Sequence, residues 1–302
     1  MNAVINFYKP PGMSSAQAVA FVKRHLKTKA GHAGTLDPEA AGVLVLLTGR
    51  ATRLCDDLMA GDKQYLAEIA FGSATDTQDA QGRVTARGGP VPRLEDLEAV
   101  FPRFTGQFFQ TPPQYSALKT GGETAYKMAR SGREAPLAPR AVTVETIRLL
   151  RKTGADGYLL RVNCGKGTYL RTLCHDLGQA LGCPAHLRFL LREQSGDFRL
   201  RDAVTPEGFL KWADGGRPAG QAWMRTPDAA LSFMPRFEVP LALGKPAVNG
   251  VALPAGLIIG EGWLPEGTRA RLLLGGRLLG VYTRKGNTLQ PSVLLWEPES
   301  RE

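Results

Sequence analysis

Gly31-His32-Ala33-Gly34-Thr35-Leu36-Asp37-Pro38 sets a single carboxylate on a turn bounded by glycine and proline. The turn follows a basic segment with helical spacing and precedes the apolar run Val43-Leu44-Val45-Leu46-Leu47. A carboxylate at the edge of a sheet is placed for chemistry or for capping. Asp before Pro is also a good helix N-cap, with Pro at the first helical position. The octapeptide alone leaves both readings open.

A second candidate is Cys164-Gly165-Lys166-Gly167-Thr168-Tyr169-Leu170-Arg171. A Walker phosphate loop needs a glycine ahead of its Gly-Lys pair and Ser or Thr directly after the lysine. Leu160 and Gly167 occupy those positions, so the template fails. What remains is a Gly/Lys turn carrying Lys166 into a helix whose first turns present Tyr169 and Arg171. Arg171 is either a solvated helix residue or a guanidinium aimed at a carboxylate or phosphate. In Asp62-Lys63-Gln64-Tyr65, the tyrosine opens a strand, where it packs or stacks on an extruded base. Gln110 to Lys119 puts two prolines, Tyr115 and Lys119 on one stiff polar segment, which reads as a rigid loop or an RNA-contacting rim.

Cys55, Cys164, Cys174 and Cys183 lack C-x-x-C spacing, and the four histidines form no ligand motif. The cysteines read as reduced small hydrophobes, and no metal or other cofactor is expected. The 302 residues carry 38 Lys+Arg against 28 Asp+Glu, a net charge of +10. That excess favours a polyanionic partner, nucleic acid first. Hydrophobic content of 43% supports a globular core. No run is long enough to span a membrane, and the N-terminus lacks the features of a signal peptide. A cytoplasmic location is expected.

Several elements must position these residues. A strand over 5–7 meets the breaker Lys9-Pro10-Pro11-Gly12, and Ser14 or Ser15 caps a helix to about residue 27. Residues 43–47 read as a buried strand, with Thr48 capping a helix over 50–59. Strands are expected over 65–71, 142–151 and 158–163. Helices are expected over 94–104, 123–130 and 169–181, and a polar loop over 72–82. The irregular alternation predicts an α+β fold with a mixed, largely antiparallel sheet flanked by helices. After about Met234 no helix is evident, and short apolar runs alternate with Gly, Pro and Asn turns, the pattern of a small all-β domain. A boundary near residue 237 divides the chain into 1–236 and 237–302.

The motifs, taken together, resemble those of the bacterial TruB family of tRNA pseudouridine synthases. The matching pieces are Lys9 to Ser15, Gly31 to Pro38, Gly72 to Gly82 with Thr75-Asp76-Thr77, Gln110 to Lys119 followed by Ala125-Tyr126, and Gly165 to Arg171. They fall in the family's order. The resemblance implies a pseudouridine-synthase-like fold with a C-terminal PUA-like RNA-binding domain. It implies that Asp37 is the catalytic aspartate, Tyr65 the tyrosine that stacks on the target uracil, and Arg171 the partner of the carboxylate. His32 would fill the gap left in the T-loop, and Lys9 would support the active-site loop. Lys9, Lys63, Tyr169, Lys119 and Lys166 join His32 as expected substrate or RNA contacts. The partner implied is tRNA, through its T-loop and T-stem, with a monomer and no obligate protein partner. The chain departs from the family after Ala185-His186-Leu187. A doubled Arg followed by Thr is the pattern there, and Leu191-Arg192-Glu193 stands instead. That departure bears on RNA contacts and not on the chemistry.

The implied reaction isomerises the T-loop uridine, conventionally position 55. It is redox-neutral and resembles retaining glycoside chemistry at C1′. The uracil is not released and can carry charge over its carbonyls, so one aspartate suffices. Two alternatives belong to other classes: a guide-RNA-dependent subunit with similar motifs, and a non-catalytic tRNA-folding chaperone. Asp37, Tyr65 and Arg171 together favour catalysis.

Overall fold

A computed structural model describes residues 1–260, 262 and 264–296. In chain order the first strands are β1 (Val4–Lys9), β2 (Ala30–His32), β3 (Ala41–Thr48) and β4 (Lys63–Phe71). A small hairpin, β5 (Ser73–Thr75) and β6 (Val84–Arg87), follows, then β7 (Gly106–Gln110). A second small hairpin is β8 (Lys119–Thr120) and β9 (Glu123–Thr124). The long strands β10 (Arg140–Thr153), β11 (Gly157–Cys164) and β12 (Ala185–Ser195) complete the centre, with short β13 (Phe198–Arg199) and β14 (Met224–Arg225). The helices here are α1 (Ser15–Leu26), α2 (Cys55–Met59), α3 (Leu94–Val100), α4 (Ala125–Arg130), α5 (Leu170–Ala180), α6 (Pro206–Asp214) and α7 (Pro227–Ala230).

The main sheet runs β14-β1-β3-β12-β4-β11-β10-β7. Every named pair in it is antiparallel except β3 with β12. All eight residues of β3 are buried, as its unbroken apolar sequence requires of a strand covered on both faces. β4 alternates buried and half-buried positions over its first half. Gly42 is the tight point of the sheet. Its φ is +110°, and a Cβ there would lie 2.3 Å from the Arg192 carbonyl oxygen, so only glycine lets β12 come alongside β3.

One open reading is decided and two local expectations fail. Asp37 caps no helix: the chain turns, with the Ala40 N–H donating to the Asp37 carbonyl at 3.1 Å, and enters β3. Thr48 caps nothing either. Its hydroxyl accepts from the Ala3 N–H at 3.0 Å and donates to the Met1 carbonyl, while 49–54 forms a 3₁₀ turn leading into α2. The 72–82 loop is partly strand, because β5 pairs with β6.

The second sheet is built from β15 (Arg236–Glu238), β16 (Leu253–Pro254), β17 (Ile259–Gly260), β18 (Arg269–Leu274), β19 (Arg277–Lys285) and β20 (Thr288–Leu294). One short helix, α8 (Gly244–Val248), interrupts the expected all-β run. This sheet has its own core around Phe237, Leu272 and Tyr282. A further apolar cluster joins the two sheets: Leu47, Leu54, Leu58 and Met234 pack with Val281 and Leu295. No described helix is long and apolar enough to cross a membrane.

Candidate active site

The Asp37 turn is gripped from both sides by buried cations that donate to backbone carbonyls. Lys9 ends β1 with no exposed surface. Its Nζ donates to the carbonyls of Pro10 (3.0 Å), Met13 (2.6 Å) and Pro38 (2.9 Å). Ser15, in the first turn of α1, donates through Oγ to the Leu36 carbonyl and accepts from the Leu36 N–H, both at 2.9 Å. On the other side stands Arg192 of β12, 1% exposed. Its Nε donates to the Val43 carbonyl at 2.6 Å, Nη2 to Gly34 at 3.0 Å and Nη1 to Thr35 at 3.5 Å. Carbonyls before, within and after the turn are thereby fixed, and the Asp37 side chain has little freedom to swing.

Arg171 enters from the first turn of α5. Its Nε lies 2.9 Å from Asp37 Oδ2 and its Nη2 donates to Oδ1 at 3.2 Å, a two-point fork. Two further donors are fixed too: Nη2 to the Tyr115 carbonyl at 2.9 Å and Nη1 to the Thr77 carbonyl at 3.0 Å. The arginine side chain is 5% exposed and the Asp37 side chain 42% exposed. The pair thus presents an open carboxylate backed by a buried cation. Asp79 Oδ2 lies 3.8 Å from Arg171 Nε. Its other oxygen accepts from the Thr77 hydroxyl at 2.6 Å and the Gln81 N–H at 3.0 Å. Gln78, at φ +62°, accepts from the Thr172 hydroxyl at 2.8 Å and pins this loop to α5.

Tyr65 lies on β4 directly opposite Arg192 of β12 and Val162 of β11. Burial pushes its phenol above the ordinary tyrosine range, with the Arg192 guanidinium opposing, so the hydroxyl keeps its proton at neutral pH. His32 ends β2, and its Nδ1 is buried without a hydrogen-bond partner. Burial, then the Arg192 charge, lowers its pKa and keeps the ring neutral. Tyr169 precedes α5 and is half-buried. The Gln110 side chain accepts from its N–H at 2.9 Å and donates to its carbonyl at 3.2 Å. The stiff 110–116 segment is thus tied to the base of the arginine helix.

The structure brings Tyr65 and Tyr169 within electrostatic reach of Asp37, with Arg171 paired to it, while His32 stands on β2 opposite Leu46 and feels Arg192. Lys119, the first residue of β8, and Lys166, on a turn, are both exposed. Lys9 and Lys63 must be withdrawn as RNA contacts. Lys63 is 6% exposed and donates to the Met59 and Gly61 carbonyls. Burial lowers both amines to about 8. Both are internal braces, which their residue type alone does not suggest. Sequence reasoning did not single out Asp79, and it read Arg192 only as part of a segment bearing on RNA contacts. The departure at 191–193 bears on the support of Asp37 itself, because Arg192 is one of its two cationic clamps.

Comparison with known proteins gives a consistent picture. Residues 23–170 match the model of the TruB family pseudouridylate synthase N-terminal domain. Residues 171–219 match that of the tRNA pseudouridylate synthase B C-terminal domain. Both matches end before the second sheet begins. The chain is 40% identical over 289 residues to a protein of Heliobacterium modesticaldum named tRNA pseudouridine synthase B, covering 93% of this chain and 90% of that protein. It is 41% identical over 300 residues to the protein of the same name from Cupriavidus metallidurans, covering 98% and 94%. Among solved structures, a chain of a Cbf5-Nop10-Gar1 complex superposes with a TM-score of 0.75 at 26% identity, covering 97% of this chain and 84% of that one.

Proposed function

We infer the function of this chain from one premise: it belongs to the TruB family of pseudouridylate synthases. It is an isomerase that converts uridine in tRNA to pseudouridine. The target we assign is the T-loop uridine at position 55, and the catalytic group is Asp37. The N1–C1′ bond breaks, the uracil turns over, and a C5–C1′ bond forms. C5 gives up a proton and N1 ends with one, so atoms and charge balance without an oxidant or reductant.

The observation that supports this most is the Asp37–Arg171 pair. A carboxylate that must act on a ribosyl uracil needs charge, direction and an open face. The buried fork of Arg171 meets both carboxylate oxygens and fixes their direction, and the exposed side of Asp37 is left for the substrate. Reaching a base inside a folded RNA loop requires extrusion, at a cost of a few kcal/mol. Tyr65 supplies an aromatic face for the extruded uracil and, with its proton retained, a hydroxyl donor. We assign His32 and Tyr169 to contacts with the RNA loop. The exposed Lys119 and Lys166 add positive charge for phosphates. Residues 237–302 act as a PUA-like RNA-binding unit.

A stand-alone enzyme is favoured over a guide-dependent subunit, because the 40%-identical relatives are named as tRNA enzymes while the Cbf5 likeness is at 26%. The test is to incubate purified protein with an unmodified tRNA transcript and map pseudouridine. Conversion at position 55 without added RNA supports the assignment. Conversion only when a guide RNA is supplied would transfer it to the guide-dependent class, and no conversion under either condition would overturn it.

A further inference from the structure

A basic cleft of about 310 Å³ opens at the far end of the β2–β3 pair, away from the Asp37 turn. Its lining includes Thr28, Lys29, Arg50, Thr52 and Arg53. Three of these are cations, and no carboxylate lines the cleft among the described residues. The nearest acids along the chain are Asp56, which is exposed, and Asp57, which is engaged by Arg269. Lys29 is exposed and makes no ion pair among the described residues. Arg50 and Arg53 donate across the seam between the two sheets, to the carbonyls of Trp296 and Leu294. Backbone contacts make the walls firm. The Gly49 N–H donates to the Lys29 carbonyl at 2.8 Å, and the Arg50 N–H donates to Asn2 Oδ1 at 2.8 Å.

Placement gives the cleft its meaning. Lys29 directly precedes β2, whose last residue is His32, and the strand continues through the turn to Asp37. At roughly 3.3 Å per residue, Lys29 sits about 10 Å from His32 along the strand. An RNA strand engaged at His32 is within reach of this cleft. The Thr52 hydroxyl donates to the Gly49 carbonyl at 2.8 Å and braces the wall; the lysine and arginine cations and the Thr28 hydroxyl, without a competing carboxylate, suit a phosphodiester.

We propose that the Thr28–Lys29 and Thr52–Arg53 cleft is a phosphodiester subsite for tRNA, separate from the uridine pocket, at the seam of the two sheets. It rests on the assignment of tRNA as substrate. Its role is positioning: it neutralises backbone charge and sets register, and takes no part in bond making.

The test uses the full chain, an unmodified tRNA transcript, Lys29→Ala, and Lys211→Ala on α6 as a control. Lys29 is exposed and holds the fold only through its backbone, so the variant keeps its structure. Binding is measured over a salt series, with the single-turnover rate at saturating tRNA. Losing one phosphate contact reduces the slope of log K against log salt by about 0.9. Expected for Lys29→Ala is that reduction, several-fold weaker binding at low salt, an unchanged saturated rate, and recovery in Lys29→Arg. Lys211→Ala should match the parent. An unchanged slope in Lys29→Ala, or an equal loss in Lys211→Ala, overturns the subsite while the parent's pseudouridine product leaves the tRNA assignment standing. A parent that forms no product removes both.

Discussion

Asp37 and Asp57 each lie 2.9 Å from an arginine, with the burial reversed. In the Asp37–Arg171 pair the cation is 5% exposed and the carboxylate 42%. In the Asp57–Arg269 pair the carboxylate is 2% exposed and the cation 40%. The second pair ties α2 to β18 across the apolar seam of Leu47, Leu58, Met234 and Val281. An ion pair with its carboxylate outward is available to a substrate; one with its carboxylate inward can only brace. Support follows the same division. Arg171 is held by two backbone carbonyls besides Asp37, whereas Arg269 Nε is buried without a partner. One site is over-determined, as a reacting group requires. The other tolerates an unsatisfied donor.

The comparison breaks most visibly at Arg171. Arg171→Lys should reduce the single-turnover rate about 100- to 1000-fold while tRNA binding changes little, because a point charge cannot hold both carboxylate oxygens. Rapid-quench kinetics with parallel binding measures this. Lost binding with intact chemistry would make Arg171 a phosphate contact. Arg192→Met should come next, at about 100-fold in rate and about 2–4 kcal/mol in stability, since the carbonyls of Gly34, Thr35 and Val43 lose their donor. Lysine at 192 should not restore the rate. Urea unfolding beside single-turnover kinetics separates the two losses.

At the seam, Arg269→Ala should cost about 1–3 kcal/mol in urea unfolding, because it strands the buried Asp57. The saturated rate should stay within about three-fold of the parent. A large loss of rate would show that the seam and the site are coupled.

The smallest effect concerns a third acid, Asp176 on α5, where burial with no opposing cation pushes the pKa up to about 6. Its folded pKa lies above the unfolded value, so its contribution is present below about pH 4 and is lost as pH rises through 6. Asp176→Asn should therefore add about 1–2 kcal/mol at pH 7 and nothing near pH 3.5, read from urea midpoints at the two pH values. Equal effects at both would point to a packing change.

The sequence made Asp37 legible as a candidate and left its alternative, the helix cap, open. The turn's geometry decides against the cap, because Lys9, Ser15 and Arg192 hold the segment away from helix. The partnership of Asp37 with Arg171 spans 134 positions. No periodicity reports such a contact, and only the resemblance carried it. The resemblance gave Lys9 its support of the turn, but reading Lys9 and Lys63 as RNA contacts failed because lysine is ordinarily exposed; their burial depends on carbonyls that converge only in the fold. Arg192 was not legible as a clamp for the same reason, and it lies in β12, a strand not placed from the sequence. The alternating turns after Met234 marked the second sheet well. The apolar seam beneath it was not legible, because Leu54, Leu58 and Val281 read equally well as parts of two separate cores.

The most direct test sets Asp37→Asn beside Asp57→Asn on one tRNA, with single-turnover pseudouridine formation, tRNA affinity and urea unfolding measured on both. Expected for Asp37→Asn is a rate loss of about 1000-fold or more with affinity and stability close to the parent. Expected for Asp57→Asn is a nearly unchanged saturated rate with lower stability. Asp37→Asn turning over within ten-fold of the parent would contradict the assignment of Asp37 as the catalytic carboxylate.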